Sequence, residues 1–271
     1  MKIAVVALAA LMAAFVPAAY APIVYAQERA PDPVPIEEWS TDKVSAMGAA
    51  IYRQDVAAWV STDALIAHLA GAPPPVGMQG WIVVKDGDDQ RVRYIRRDEA
   101  GVPRSAFDVI VREGRAGAVE VVDAVLTDTE QARFRARQTA IDNIGRLRCS
   151  QQLNTVVLDD PDSDGWLVWL LTTTSDANVI PFGGHYRFRI SADGQTVLHR
   201  DMLSNNCIAL PRNQAGQNGE PAALMVTQIV SQGPVETHVF LSLQNRIPIY
   251  VAAGEEGLFE VAGTEVRKIE R

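Results

Sequence analysis

The first regular pattern in the chain is a run of apolar residues at helical spacing between Asp42 and about Val60. The apolar positions are Val44, Met47, Ile51, Val56 and Val60. Such spacing places side chains on one face of an α-helix. Residues 61–63 read Ser-Thr-Asp, which favours the start of a new helix. The pattern therefore predicts two N-terminal helices, of which the second is short and ends near Ala70.

The apolar period changes from helical to two after these helices, which is typical of strands with one buried face. Strands are predicted at 81–84, 92–95, 107–111 and 119–125, with polar or glycine-containing turns between them. Because the turns are short, we expect the strands to form an antiparallel meander.

A single helix is predicted after the meander, from Thr127 to Gly145. Thr127 and Glu130 have the spacing of a capping box, and glycine is common just after a helix. Long charged side chains often cover helix surfaces, so the arginines of this helix are predicted to face solvent. They are Arg133, Arg135 and Arg137.

The remainder of the chain has the pattern of a β-rich half. The run 166–171, WLVWLL, predicts a central strand that is covered on both faces. Asp193-Gly194 favours a tight turn and predicts a hairpin of His185–Ser191 with Thr196–Met202. Further strands are predicted at 153–158, 224–230, 237–243, 247–251, 258–261 and 266–269.

These elements predict an α+β fold with N-terminal helices, an antiparallel meander, one capped helix and a β-rich C-terminal half.

The chain contains two cysteines, and neither belongs to a Cys-x-x-Cys motif. In an oxidising compartment such a pair most simply forms one disulfide. Cys149 and Cys207 are therefore predicted to be bonded.

The beginning of the chain has the pattern of a secretion signal, residues 1–26. One lysine precedes an apolar run, and small residues follow at two possible cleavage points. The run is shorter than the ~20 residues that a membrane span needs. Residues 27–40 are rich in proline and predict an extended arm. The sequence therefore predicts a periplasmic or secreted protein.

Residues 41–271 are predicted to form one α+β domain, because the connection near residue 147 is too short for a free linker. Two lobes, 41–147 and 148–271, are the alternative. The chain carries a net charge of −8, which argues against nucleic acid as a partner. We expect no cofactor, no membrane span after signal cleavage, and an unknown protein or small-molecule partner in the cell envelope.

No standard catalytic or nucleotide-binding motif occurs in the sequence. A weak calcium candidate is formed by Asp160, Asp162 and Asp164, which match the first half of a calcium loop. Leu171 stands where such loops place a bidentate glutamate. An acidic turn between two strands is therefore the favoured interpretation, and no metal site is predicted.

Histidines 185, 199 and 238 all fall in predicted strands and together could hold Zn²⁺. The hairpin register disfavours a zinc site that is shared by His185 and His199. A two-residue turn pairs Phe188 with His199 and puts His185 and His199 on opposite faces. A three-residue turn pairs Arg187 with His199 and makes the two histidines diagonal neighbours. Structural or surface histidines are the favoured interpretation.

The strip His185, Arg187 and Arg189 is the strongest candidate for ligand binding, with His238 as a possible neighbour. The three residues share one strand face and could bind an anion. The alternative is that they form the solvent-facing side of a hairpin whose other side is core. That other side is formed by Tyr186, Phe188 and Ile190.

Three stretches resemble an uncharacterised family of exported (periplasmic) hypothetical proteins of Gram-negative bacteria. They are IYRQDVAAWVSTDAL, ARFRARQTAI, and GGHYRFRISADG with the downstream Cys207. The resemblance covers most of the chain after the signal peptide. It implies a periplasmic location, but no activity, ligand or catalytic residue.

We therefore expect a non-enzymatic binding or interaction protein that uses its β-sheet surface. The alternative is an envelope hydrolase with a site near His185 and His238. An enzyme should have a concave pocket with at least two convergent ionisable side chains, whereas a binding module needs only a sheet face or an apolar groove.

Overall fold

The structure is a computed structural model that describes residues 34–212, 223–255 and 257–270. The predicted signal peptide and the first part of the predicted arm lie outside the described residues. The described part of that arm, residues 34–40, packs on the domain instead of extending from it, because Ile36 and Trp39 are buried in the core.

Residues 41–69 form one continuous helix, α1 (Thr41–Leu69). The prediction of two helices with a break at residues 61–63 is wrong. Ser61 and Thr62 do not cap a new helix, since both hydroxyls donate to the carbonyl oxygen of Ala58. Hydroxyl groups inside a helix can bond in this way to the preceding turn without ending the helix.

The next four strands form the predicted antiparallel meander, sheet A. The strands, in spatial order, are β1 (Met78–Asp86), β2 (Asp89–Arg97), β3 (Pro103–Arg112) and β4 (Arg115–Val125). Helix α1 packs against one face of the sheet, around Phe107 and Val109. The other face packs near Ile82 and Ile95 against Phe134 of the following helix. Sheet A thus lies between two helices.

The helix after sheet A, α2 (Asp128–Asp142), begins with the predicted capping box. The carboxylate of Glu130 accepts from the N–H of Thr127 at 2.9 Å, and the hydroxyl of Thr127 accepts from the N–H of Glu130 at 3.3 Å. The helix ends slightly before the predicted stop at Gly145.

The arginines of α2 do not form the predicted solvated surface. Arg133 is buried, and its guanidinium carbon lies 4.7 Å from the centre of the Trp166 ring. The guanidinium of Arg137 lies 5.4 Å from the ring of Trp81, and burial lowers the pKa of Arg137 to about 10. Arg135 donates to a backbone carbonyl of the hairpin turn. The prediction is wrong because aromatic rings and carbonyls of the two large sheets cover this side of α2.

The second large sheet, sheet B, begins after the first cysteine. Its strands, in spatial order, are β5 (Leu153–Asp159), β6 (Trp166–Thr172), β8 (Tyr186–Ile190) and β9 (Val197–Met202), and two short strands, β7 (Val179–Pro181) and β10 (Ala209–Pro211), pair beside it. Every residue of β6 and β8 is buried, which confirms the predicted central strand. Helix α2 packs on one face, and α1 packs on the other together with the C-terminal elements.

Two polar side chains form hydrogen bonds to the outer edge of β5. Gln54 of α1 donates to the carbonyl of Val157 at 2.8 Å and accepts from its N–H at 3.1 Å. Arg133 donates to the same carbonyl at 3.0 Å and to that of Val83, in β1, at 3.2 Å. Unpaired groups of an edge strand tend to recruit other chains. These two side chains satisfy both backbone groups of Val157 on this edge, and Arg133 also joins sheet A to sheet B.

The C-terminal elements form a third sheet with one helix. They are β11 (Leu224–Gln228), α3 (Glu236–Asn245), β12 (Ile249–Ala253), β13 (Gly257–Ala262) and β14 (Glu265–Lys268). Strands β11 and β12 are parallel and are connected through α3, whereas the later pairs are antiparallel. The prediction of a strand at 237–243 is wrong. Residues 236–242 are all buried, so α3 has little of the polar face that identifies a helix in a sequence.

The predicted disulfide is present between Cys149 and Cys207, whose Cα atoms lie 5.4 Å apart. Gly184 makes room for it, because any side chain there would collide with the sulfur of Cys149. The α+β class is confirmed, with three α-helices and fourteen strands in the described residues. None of these helices has the length and apolar character that crossing a membrane requires.

Reduction of the disulfide is expected to lower the free energy of unfolding by about 4 kcal/mol, because the bond closes a long loop in the unfolded chain. Urea denaturation with and without dithiothreitol measures this difference. The double variant Cys149→Ser/Cys207→Ser is the control, since its midpoint should not respond to the reductant. Equal midpoints for the oxidised and reduced wild-type protein would contradict the prediction.

Candidate functional site

The hairpin that carries the predicted ligand-binding strip contains a β-bulge. Next to the turn, Ile190 lies opposite Val197, as a two-residue turn requires, but Arg189 lies opposite His199 because the register passes over Leu198. A bulge shifts all later pairs by one position. Neither predicted register therefore holds along the whole hairpin, and His199 lies on the same face as Arg189.

The strip His185, Arg187 and Arg189 is buried. The prediction that this is the solvent-facing side of the hairpin is wrong, because other elements cover it. The ring of Trp39 lies 5.8 Å from the guanidinium of Arg187, and carboxylates from three other segments reach the two arginines. Ligand binding by this strip stays a prediction, and its charges already have internal partners.

Two carboxylates hold Arg187. Its Nη1 donates to both oxygens of Glu236, at 3.0 and 2.9 Å, and its Nε donates to Asp201 at 2.9 Å. Glu236 is the first residue of α3, is fully buried, and also accepts from the indole N–H of Trp169 at 2.7 Å. Although burial lowers the pKa of Arg187, the two carboxylates outweigh this effect and raise it above its ordinary value. The guanidinium stays charged and joins α3 to sheet B.

Arg189 pairs with the acidic turn between β5 and β6, which contains the calcium candidate. Its Nε lies 2.6 Å from Oδ2 of Asp160. Asp162 lies 2.5 Å from Nζ of Lys43 and 3.3 Å from Arg189. Asp164 lines an open groove instead. Because cations of the same chain neutralise the first two carboxylates, this arrangement disfavours calcium at the turn.

His185 and His238 are both buried and bonded to the backbone. Nδ1 of His185 accepts from the N–H of Thr172 at 3.0 Å, and its Nε2 lies 3.1 Å from the carbonyl oxygen of Pro181. Nδ1 of His238 accepts from the N–H of Val235, at the beginning of α3, also at 3.0 Å. Burial lowers the pKa of each imidazole to about 4. Both rings are therefore neutral structural groups at pH 7.

His199 lies at the surface, where its Nε2 is 2.8 Å from Asp201 and 3.5 Å from Glu37. Metal ions are commonly held by histidine, cysteine, aspartate and glutamate. Within the described residues, Glu37, His199 and Asp201 are the one group of three such side chains whose possible metal-ligating atoms lie close together. His185 and His238 do not belong to it, so the three histidines do not converge on a shared zinc position. Since Asp201 also binds Arg187, the contact between His199 and Asp201 extends the polar network of α3 to the surface.

A cleft of about 700 Å³ opens between α1, the loop after β6 and the C-terminal half of α3. Its aromatic lining residues are Tyr52, Trp59, Trp81 and Phe240. Trp59 is 64% exposed, which is unusual for so large an apolar side chain. Clefts of this size that combine aromatic walls with a few polar groups commonly bind small organic molecules.

Asp55 of α1 is the buried acid of this cleft, and it is only 9% exposed. Its Oδ1 accepts from the side-chain amide of Asn154 at 3.0 Å, and its Oδ2 accepts from that of Gln244 at 3.4 Å. Burial raises the pKa of Asp55, and the hydrogen bond from Asn154 offsets part of the rise. The cleft therefore holds a carboxyl group whose hydrogen-bond partners are neutral amides.

Two arginines line another part of the cleft. Arg212 donates to the side-chain oxygen of Asn245 at 2.6 Å and to the carbonyl of Ala177 at 3.1 Å. Arg246 follows α3 and is exposed. The cleft thus combines aromatic surface, the buried acid Asp55, the exposed acid Asp176 and two basic side chains.

Sequence reasoning did not identify this cleft, because its walls come from segments far apart in the chain. One feature of the sequence does point to the cleft. Asp55 lies four positions after Ile51, on the apolar face of the predicted helix, where a carboxylate is unusual. A charged residue on a buried face is a reason to look for a functional site.

Comparison of the chain with protein-family models, with curated proteins and with solved structures gave no match. The resemblance of the three stretches to exported bacterial proteins therefore stays a prediction. The candidate site rests on the geometry of the cleft alone.

Acidification is expected to destabilise the protein between about pH 6.5 and 4, because the buried histidines bind protons near pH 4 when folded and near 6.5 when unfolded. Each histidine accounts for a loss of roughly 3 kcal/mol across this window. Urea denaturation at several pH values measures the slope. His238→Gln should make the slope shallower, since glutamine can still accept the cap N–H but does not titrate.

The matched control for this variant is His68→Gln, which removes an exposed histidine near the end of α1. It should leave the slope unchanged. The same pH slope in the wild-type protein and in His238→Gln would contradict the prediction.

Proposed function

We propose that this is an exported, non-enzymatic protein that binds a small organic molecule in the cleft between α1 and α3. The observation that carries the proposal is the buried carboxyl group of Asp55 in a cleft of about 700 Å³ with aromatic walls. A buried carboxylate whose partners are neutral amides is costly to ionise, and such a group beside open volume favours a ligand-binding role.

Export is proposed from two features of the chain. The first 26 residues have the pattern of a cleavable leader. The disulfide between Cys149 and Cys207 is typical of proteins that fold in an oxidising compartment. A periplasmic or secreted location fits both.

The cleft is favoured over a sheet surface as the binding site. Helices pack on both faces of sheet A and on both faces of sheet B, so the larger sheets contribute mainly to the core. The cleft combines concave shape with exposed aromatic surface, which is the usual composition of a small-molecule site.

Binding is favoured over the hydrolase alternative. His185 and His238 are buried, bonded to the backbone and absent from the residues that line the cleft. A hydrolase with its site near these two histidines would need at least one imidazole within reach of a substrate.

The proposed function predicts that small aromatic molecules bind the cleft. Suitable probes are phenethylamine, 2-phenylethanol and 3-phenylpropionate, observed by ligand-detected NMR. We expect at least one of them to bind the wild-type protein. Ala177→Trp, which places a large side chain in the cleft from an exposed position, should abolish this binding.

The matched control is Ala67→Trp, an exposed position on α1 that does not line the cleft. It should bind the probes as the wild-type protein does. If none of the probes binds, or if Ala177→Trp binds them equally well, the proposed function is wrong.

A further inference from the structure

The buried carboxylates of the described residues differ in whether a basic side chain lies beside them. Asp108, Asp160 and Glu236 each lie within 3 Å of an arginine, at 2.7, 2.6 and 2.9 Å respectively. Asp55 is the fourth buried acid, and within the described part of the chain no basic side chain lies within salt-bridge distance of it. Its partners are the amides of Asn154 and Gln244. The exception among these acids is the one that lines the cleft.

An ionised carboxylate that is removed from water needs a counter-charge, because its desolvation is otherwise uncompensated. The fold provides that counter-charge for the three other acids. At Asp55 the two amides orient the carboxylate, and the space beside it is open. Burial raises the pKa of Asp55 and so favours its protonated form. The ionised form has no counter-charge within the described residues, and a cation that enters the cleft would supply one.

We propose that the ligand of the cleft carries a protonated amine, and that the carboxylate of Asp55 binds this ammonium group. The inference rests on the proposed function and names its ligand class. An ammonium group donates up to three hydrogen bonds and can also lie against aromatic faces. Tyr52 and Trp59 line the same cleft and can offer such faces, whereas the guanidinium of Arg137 already lies 5.4 Å from the ring of Trp81.

An anionic ligand is the competing chemistry, because Arg212 and Arg246 line the cleft too. Arg212 is already held by Asn245 and by the carbonyl of Ala177. Arg246 is exposed, so water solvates its charge. Asp55 is the charged group that burial has removed from solvent, and it therefore has most to gain from a ligand of opposite charge.

The test compares three probes that share a phenyl ring but differ in the charge of their head group. Phenethylamine is a cation at pH 7, 2-phenylethanol is neutral, and 3-phenylpropionate is an anion. On the wild-type protein, titration by NMR should show the amine binding about tenfold more tightly than the alcohol. This comparison needs no variant and does not depend on the folding of any substituted chain.

Asp55→Asn keeps the shape of the side chain but removes its charge. It should reduce the preference for the amine to within about twofold of the alcohol. The variant should unfold at a temperature at least as high as the wild-type protein, because a neutral amide costs less to bury than a carboxylate. The matched control, Asp63→Asn, removes an exposed carboxylate from α1 outside the cleft and should keep the preference.

The outcomes separate this inference from the proposed function. Equal binding of amine and alcohol by the wild-type protein, or tightest binding of the anion, would overturn the ammonium assignment while leaving a ligand-binding cleft in place. An amine preference that persists in Asp55→Asn would also overturn it. Failure of all the probes to bind would contradict the proposed function itself.

Discussion

The buried ion pair between Glu236 and Arg187 determines how the C-terminal helix packs on the rest of the protein. Glu236 stands at the N-terminus of α3, where the helix dipole also favours a negative charge. It accepts two hydrogen bonds from Arg187 and one from Trp169, so each of its oxygens has a partner. Buried pairs of this kind stabilise a particular arrangement, because separating them leaves an uncompensated charge. Helix α3 is thereby fixed against the central strands of sheet B.

The position of α3 in turn determines the shape of the cleft, because α3 provides part of its wall. The far end of this helix carries Gln244 and Asn245, which orient Asp55 and Arg212 respectively.

The buried charged groups fall into two kinds, according to whether a group of opposite charge in the same chain lies beside them. Arg187 and Arg189 are paired with acids of the same chain, and these ion pairs stabilise the fold. Asp55 has only neutral partners, and this difference is the basis of the ligand-binding role proposed for it.

Much of the fold follows from local patterns, whereas the site does not. The meander, the capping box at Thr127, the doubly covered strand β6 and the disulfide were all predictable, because each depends on a short segment or on a single pair of residue types. Helix α3 was not predictable, since burial on every side removes the polar face on which helix recognition depends. The burial of Arg187 and the proximity of Asp55 to Gln244 depend on contacts between distant segments, which no periodicity encodes.

The most direct test of the role of the Glu236 and Arg187 pair is a double-mutant cycle with Arg187→Met and Glu236→Gln, measured as the free energy of unfolding in urea. Arg187→Met alone should cost about 3–5 kcal/mol, because it leaves Glu236 charged and buried. The double variant should recover a large part of that loss, because it removes the uncompensated charge as well. Additive effects of the two substitutions, or a negligible effect of Arg187→Met, would contradict the account.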